Sequence, residues 1–206
     1  MEPRSIAQDR ARQILEAAYR AFARDGYHHT TMDKIAQRVG VTKGTLYLYY
    51  KSKADLFVAV LEDRLRNLER RIQRAIDTAH TPQAAVERIA HELATYFRRE
   101  RNFHSVFVHS YVPLPPEVRK RIRQRILPIL DHIELVVTSV MDRGVKEGVF
   151  REHIPPRIMA LAFVWMVRGM LRYHAKSSVL ARAFAEIFLY GVLREEVRDE
   201  RPDPAS

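Results

Sequence analysis

Cysteine is absent from the 206 residues, which excludes disulfide scaffolds, zinc–cysteine sites, thiol catalysis and iron–sulfur clusters. Glycine is scarce, at seven residues, and no segment sustains a period-2 alternation, so a sheet has little to be built from. Long apolar runs are missing as well. The longest, Ile158 to Val167, has ten residues between Arg157 and Arg168. That is half of the roughly 20 a bilayer span needs, so it reads as a buried helix. The start, Met1-Glu2-Pro3-Arg4-Ser5, is polar and leads into a charged helical pattern without a signal-peptide core. A soluble, cytoplasmic chain with no membrane partner is expected. No Gly-x-Ser-x-Gly, His-Glu-x-x-His or phosphate-loop pattern occurs, so nothing indicates an enzyme.

What is there suits a folded, polyanion-seeking protein. Hydrophobic residues make up 47% and charged residues 29%, enough apolar material for a sizeable core in one domain or two small ones. Lys and Arg number 35 against 25 Asp and Glu, a formal net charge of +10. Such a surface favours nucleic acid first and an anionic membrane second. The first 60 residues hold net +4 and the remainder +6, so charge alone does not locate the contact.

The apolar spacing predicts helices throughout. Ile14, Leu15, Ala18, Ala21 and Phe22 define a first helix expected to stop at Asp25-Gly26 with a left-handed glycine cap. Thr31 and Thr42 are N-caps of two short helices, ending near Gly40 and Tyr49. Ser52 caps a long fourth helix with Leu56, Phe57, Val60, Leu61, Leu65, Leu68, Ile72 and Ile76 along one side. A fifth runs from Pro82 to about Glu100, and a short aromatic one from Phe103 to Tyr111. After Pro113, Pro115 and Pro116, a long helix is expected from Glu117 to Arg143, kinked or divided at Pro128, with Gly144 and Gly148 at its exit. Pro155-Pro156 opens another, to Lys176, and a last one covers Val179 to Arg198.

The segment Thr31 to Tyr50 has the form of a helix-turn-helix. Ala36 sits at the crossing of its two helices, where a larger side chain would push them apart. Gly40, four residues on, supplies the positive φ of a tight turn. Ile35, Val39, Val41 and Leu46 are spaced to face the first helix, which leaves Lys43, Thr45, Tyr47 and Tyr49 displayed. A helix of that size fits the major groove of B-DNA.

Together with the Gly26-Tyr27 break, Lys43-Gly44-Thr45, Leu46-Tyr47, Tyr49-Tyr50 and Lys53, the stretch Phe22 to Phe57 resembles the DNA-binding domain of the tetracycline-repressor (TetR/AcrR) family of bacterial transcription regulators. The resemblance implies an all-α homodimer: a three-helix DNA-binding domain over 1–51, a six-helix ligand-binding and dimerisation domain over 52–198, and a disordered tail over 199–206. Carried over by position, Thr31, Thr42, Tyr49 and Lys53 are phosphate contacts. Lys43, Gly44 and Thr45 meet base edges, and Tyr47 touches phosphate and sometimes a base methyl. Tyr49 stands where many members have histidine. Tyr50 stands where phenylalanine is usual, as core.

The middle helices would hold an inducer cavity. Phe103, Phe107, Tyr111, Trp165 and Met166 are candidates for an apolar lining, with His104 and Arg168 orienting a polar group. The ligand this suggests is a small hydrophobic effector, acyl-coenzyme A being one candidate; no other cofactor is implied. The last two helices carry small and large apolar residues on more than one face, among them Phe163, Ala181, Phe184, Ala185, Phe188 and Gly191, which the resemblance places in a dimer interface. The basic run Arg119 to Arg125 reads as the solvated face of a helix whose apolar side is Ile122, Ile126, Leu127 and Leu130. His104 and His109 are five apart and Asp131, His132 and Glu134 diverge on a helix, so no metal site is expected.

The expected function is a repressor that binds a palindromic operator as a dimer and is released by inducer pressing on the fourth helix. An activator of the same fold and a nonspecific, nucleoid-like DNA binder stay open.

Overall fold

Four hydroxyls start helices at the points the sequence marks. Thr31, Thr42, Ser52 and Thr81 each accept from the backbone N–H three residues on, at 3.3, 3.1, 3.0 and 3.2 Å. These bonds satisfy donors that a helix start otherwise leaves open. The computed structural model describes residues 6–99, 114–169 and 177–194. The described residues form α1 (Ile6–His29), α2 (Met32–Val39), α3 (Lys43–Tyr49), α4 (Lys53–Asp77), α5 (Pro82–Arg99), α6 (Pro116–Arg125), α7 (Leu127–Lys146), α8 (Pro156–Gly169) and α9 (Ser177–Val192). The expected aromatic helix at 103–111 and the tail at 199–206 lie outside the described residues.

The helices gather into two compact units, Met1–Arg66 with Glu100–Ile129, and Asn67–Arg99 with Leu130–Ser206. The division expected at residue 51 falls between α3 and α4, whereas compactness divides the chain inside α4. In the first unit Ile14, Ala18 and Phe22 of α1 are buried with Ile35 and Ala36 of α2, Leu46 of α3 and Leu56 and Phe57 of α4. Phe22 and Tyr27 both meet the Phe57 ring at 5.0 Å between centroids, edge-on, an arrangement the ring quadrupoles favour. Val39 and Val41, expected to be buried, are only half-buried. Arg125 of α6 grips α4 through Glu62, at 2.6 and 2.9 Å, and Asp55, at 2.9 Å. Burial alone would push the Glu62 carboxyl up, but hydrogen bonds from Arg125 and Arg66 outweigh it and hold the group below the ordinary carboxylate range. One arginine of the basic run is thus a tie between helices, while Arg119, Lys120 and Arg123 are exposed as expected. Leu127, expected on the apolar side, is exposed.

Tyr50 is half-buried in this unit, and its phenol is pushed up to about 12, by burial first and then by Asp55 and Asp63. Since an unfolded chain releases that proton near pH 10, stability should fall as pH rises from about 10 to 12. Tyr50→Phe should flatten the alkaline decline of Tm, measured from pH 9 to 12 beside the parent protein; parallel curves would contradict the assignment.

In the second unit α5 packs against α9 and α8. Buried there are Val86, Ile89 and Leu93 of α5, Val137 and Met141 of α7, Met159 and Phe163 of α8, and Ala185, Phe188 and Leu189 of α9.

The helix boundaries refine the expected ones at four points. The first helical stretch breaks at Gly26, as expected, but at φ 73°, ψ 173° this glycine is non-helical and forms no left-handed cap, and a further helical turn follows it to His29. The stretch after the proline cluster is divided into two helices, as the junction expected at Pro128 allows. They join at Ile126, and Pro128 lies in the first turn of α7, where its missing N–H costs no bond. Gly144 lies inside α7. A Cβ there would come within 2.1 Å of the buried Phe150 ring, so packing demands the glycine and Gly148, at φ 71°, makes the turn. Helix α9 ends at Val192 because Leu193 pairs with Phe150 and the Arg151 N–H donates to the Val192 carbonyl at 2.8 Å.

Candidate nucleic-acid interface

The turn between α2 and α3 is tight because Gly40 adopts φ 73°, ψ 36° and its N–H returns to carbonyls of α2. The Val41 N–H adds a bond to the Ala36 carbonyl at 3.0 Å. Ala36 is buried at the crossing, and Leu46 anchors α3 inward with no exposed surface. That anchor dictates what α3 shows. Lys43, Gly44, Tyr47 and Leu48 are exposed, whereas Thr45 and Tyr49 lie half-buried on its flank. Tyr47 is 41% exposed and Leu48 85%.

Polar groups in the motif hold one another in place. The Thr42 and Thr45 hydroxyls share a hydrogen bond of 2.8 Å, which orients both beside the start of α3. Lys43 reaches across the turn to Asp33 of α2 at 3.0 Å, and that hydrogen bond raises the ammonium above its ordinary range. The pair is exposed on both sides, so a phosphate or a base edge can replace the carboxylate at little cost. Thr31 is exposed beyond its capping bond.

Lys53 departs from its expected role as a phosphate contact. Its ammonium donates to the carbonyls of Tyr27, His28 and Thr30 at 3.0, 3.4 and 3.1 Å, and it lies 4.4 Å from the Tyr27 ring centroid. An ammonium has three donors, and three carbonyls occupy them. Burial pulls its pKa down. Lys53 therefore closes the end of α1 against α4. Lys53→Met keeps the stem but leaves the carbonyls unpaired, and should destabilise the first unit by about 1–3 kcal/mol. The slope of log K against log salt should stay the same, where loss of a phosphate contact would reduce it by about 0.9. Thermal melts and a salt series on the same variant distinguish the two.

Two further residues escape a reading by motif. Thr30 is fully buried and donates to the Gly26 carbonyl at 2.7 Å, tying the kink of α1 to the start of α2. Leu48 projects outward opposite Leu46, which a helical wheel drawn from Leu46 would have shown.

The sites expected beyond the head divide. Phe103, His104, Phe107 and Tyr111 lie outside the described residues, as do the side chains of Arg168 and Ala181. Met166 is half-buried, but Trp165, expected to line a cavity, is 62% exposed on α8 and faces away from its own core. Of the expected dimer residues, Phe163, Ala185 and Phe188 are buried within the subunit, the two phenylalanines packing at 5.1 Å, so they cannot meet a second copy. Phe184 is half-buried and Gly191 exposed. Among the described residues of α8 and α9 the exposed large apolar side chains are Ile158, Trp165, Val179, Ile187 and Tyr190, and Leu135 is exposed on α7. Among the described residues no three His, Cys, Asp or Glu side chains converge as a metal site. No described helix is long and apolar enough to cross a membrane.

Described residues that are helical and that present one short helix outward from a glycine turn, with Lys43, Gly44, Tyr47 and Leu48 exposed on it, have the architecture of a helix-turn-helix transcription regulator. Comparison narrows the class. Residues 14–60 match the family described as bacterial regulatory proteins, tetR family, and residues 79–192 match the tetracyclin repressor-like C-terminal domain. The chain belongs to the TetR family of DNA-binding transcription regulators. It is 27% identical over 146 residues to the fatty acid metabolism regulator protein of Bacillus subtilis, covering 71% of this chain and 73% of that one. It is also similar to the TetR family regulator PfmR from Thermus thermophilus, with a TM-score of 0.71 and 27% identity over 88% of this chain and 96% of that one. FadR from Bacillus subtilis, solved in complex with stearoyl-CoA, shares the fold, with a TM-score of 0.75 and 20% identity over 87% and 98% of the two chains.

Proposed function

We propose that this regulator acts in the cytoplasm as a homodimeric repressor, holding a palindromic operator through two copies of α3 and releasing it when a long-chain acyl-coenzyme A binds. The outward row of α3 carries the DNA half of this reading. Lys43, Gly44, Tyr47 and Leu48 form the exposed face, with hydrogen-bonding groups on Lys43 and Tyr47, while Thr45 on its flank and Thr31, Thr42 and Tyr49 add hydroxyls for base edges or phosphates. In a dimer the two copies would lie about 34–36 Å apart, one helical turn of the duplex.

The effector half draws on relatives and on charge. FadR of Bacillus subtilis holds stearoyl-CoA in its crystal structure. Here Asn67, Arg71 and Arg74 of α4 face Arg88, His91 and Arg99 of α5 across a cleft of about 590 Å³. Glu92 is the one carboxylate among the cleft's lining residues, and Arg71 engages it at 2.5 Å. Four arginines against one carboxylate leave the lining of the cleft net positive, which suits an anion, and the phosphates of coenzyme A are such anions. Helix α4 contributes residues to both units and is the proposed route from effector to reading head. A hundredfold loss of operator affinity requires about 2.7 kcal/mol of coupling, and operator must weaken the effector by the same factor.

The test uses a genomic fragment retained by the protein at low salt. Palmitoyl-CoA should displace it at concentrations where free coenzyme A and palmitate do not. Release by palmitate alone would move the effector class to fatty acids, and release by none would end the proposal of a coenzyme A thioester.

A further inference from the structure

We infer that Gly44 and Leu48 together form a methyl-reading notch on α3, selecting a 5-methylpyrimidine (thymine, or cytosine methylated at C5) in each half of the operator. The inference rests on α3 entering the major groove.

Two features of α3 have no explanation inside the subunit. The first is Leu48, 85% exposed although Leu46 on the opposite side already anchors the helix. The second is Gly44, a poor helix former within a helix of seven residues. A Cβ added at Gly44 would meet only the Thr42 Oγ1, at 3.8 Å, an ordinary contact. Its φ is not positive either, unlike that of Gly26, Gly40 and Gly148. Neither packing nor backbone conformation therefore requires glycine there.

One external partner accounts for both. Residues four apart lie one above the other on a helix, and the later side chain leans back over the earlier turn. Leu48 thus stands beside the bare backbone of Gly44, an apolar wall next to an open floor. Lys43 and Tyr47, both exposed, flank the notch with hydrogen-bonding groups.

The chemistry of the groove selects the occupant. The major-groove edges of guanine and adenine offer acceptors and an amino group, and cytosine offers an amino group. Against leucine each of these would lose water without gaining a hydrogen bond. The C5 methyl of thymine is the one apolar protrusion in the groove. It fits a surface from which a side chain has been withheld, and 5-methylcytosine places the same group at the same point.

The experiment uses the full chain and a duplex selected by it from a randomised pool. Each thymine is replaced singly by uracil, which removes the methyl and leaves the hydrogen-bonding edge intact. At one position per half-site, uracil should weaken binding by about threefold to tenfold. Cytosine there should weaken it further, and 5-methylcytosine should recover part of that loss. Leu48→Ala should bind the thymine and uracil duplexes equally. Gly44→Ala should raise the melting temperature, because alanine favours helix, yet lower affinity and erase the same preference. The inference is overturned if no uracil substitution changes affinity by more than twofold, or if Leu48→Ala keeps the full preference. Failure to select any duplex is a different result. It would remove the reading of α3 as a groove-entering helix and the notch with it.

Discussion

Tyr47→Ala is expected to weaken operator binding by about tenfold to a hundredfold at fixed salt, the cost of one good groove contact. The ring stands outward on α3, and the core beneath it is built from Leu46, Ile35, Phe22 and Phe57. Subunit stability and assembly should therefore be untouched. Tyr47→Phe divides the effect: a loss shared by both variants belongs to the hydroxyl, and a loss confined to alanine belongs to the ring. Fluorescence anisotropy with labelled operator, paired with a thermal melt, gives both readouts. Unchanged affinity in Tyr47→Ala would mean that another surface meets the duplex, and the assigned docking would fail.

A charge placed on the exposed apolar face of α8 and α9 should have an effect at least as large. Ile158 and Trp165 are seven apart, and Val179 and Ile187 eight apart, so each set lies on one side of its helix. Ile187 is 62% exposed and Tyr190 63%. Ile187→Arg should yield folded monomers by sedimentation. It should also weaken operator binding by more than a hundredfold, since two linked half-sites become two independent ones. Phe188→Ala, one residue away, should behave differently. It empties a packed site against Phe163 and should cost the fold about 3–5 kcal/mol in monomer or dimer. A dimer that survives Ile187→Arg would move the interface to another face.

These variants mark how far the sequence could be read. The hydroxyl caps at Thr31, Thr42 and Ser52, the turn at Gly40 and the burial of Ala36 and Leu46 follow from local rules, and all are as expected. Each depends on a hydrogen bond or a backbone angle set within about four residues, and that is the range a periodic pattern encodes. The reading helix was legible for the same reason: Leu46 inward fixes Tyr47 outward.

The errors lie where the deciding partner is distant in the chain. Lys53 carries the right charge at the right place for a phosphate contact, but the carbonyls that bind it belong to residues 27–30, two helices earlier in the chain. Arg125 looks like any member of its basic run until Asp55 and Glu62 come to meet it. Gly144 looks like a helix exit, and its partner, the Phe150 ring, is only six residues on but already beyond the reach of a helical period. On α8 and α9 apolar residues occupy several faces, so periodicity could name the helices but not the side turned inward. Spacing was sufficient to mark the helices and the helix-turn-helix, and the resemblance of residues 22–57 to a known family was sufficient to give the class of protein, because those features rest on contacts between near neighbours. Which lysine is enclosed by carbonyls, which arginine ties two helices and which face is left open were decided by long-range contacts, which form only when the chain has closed on itself.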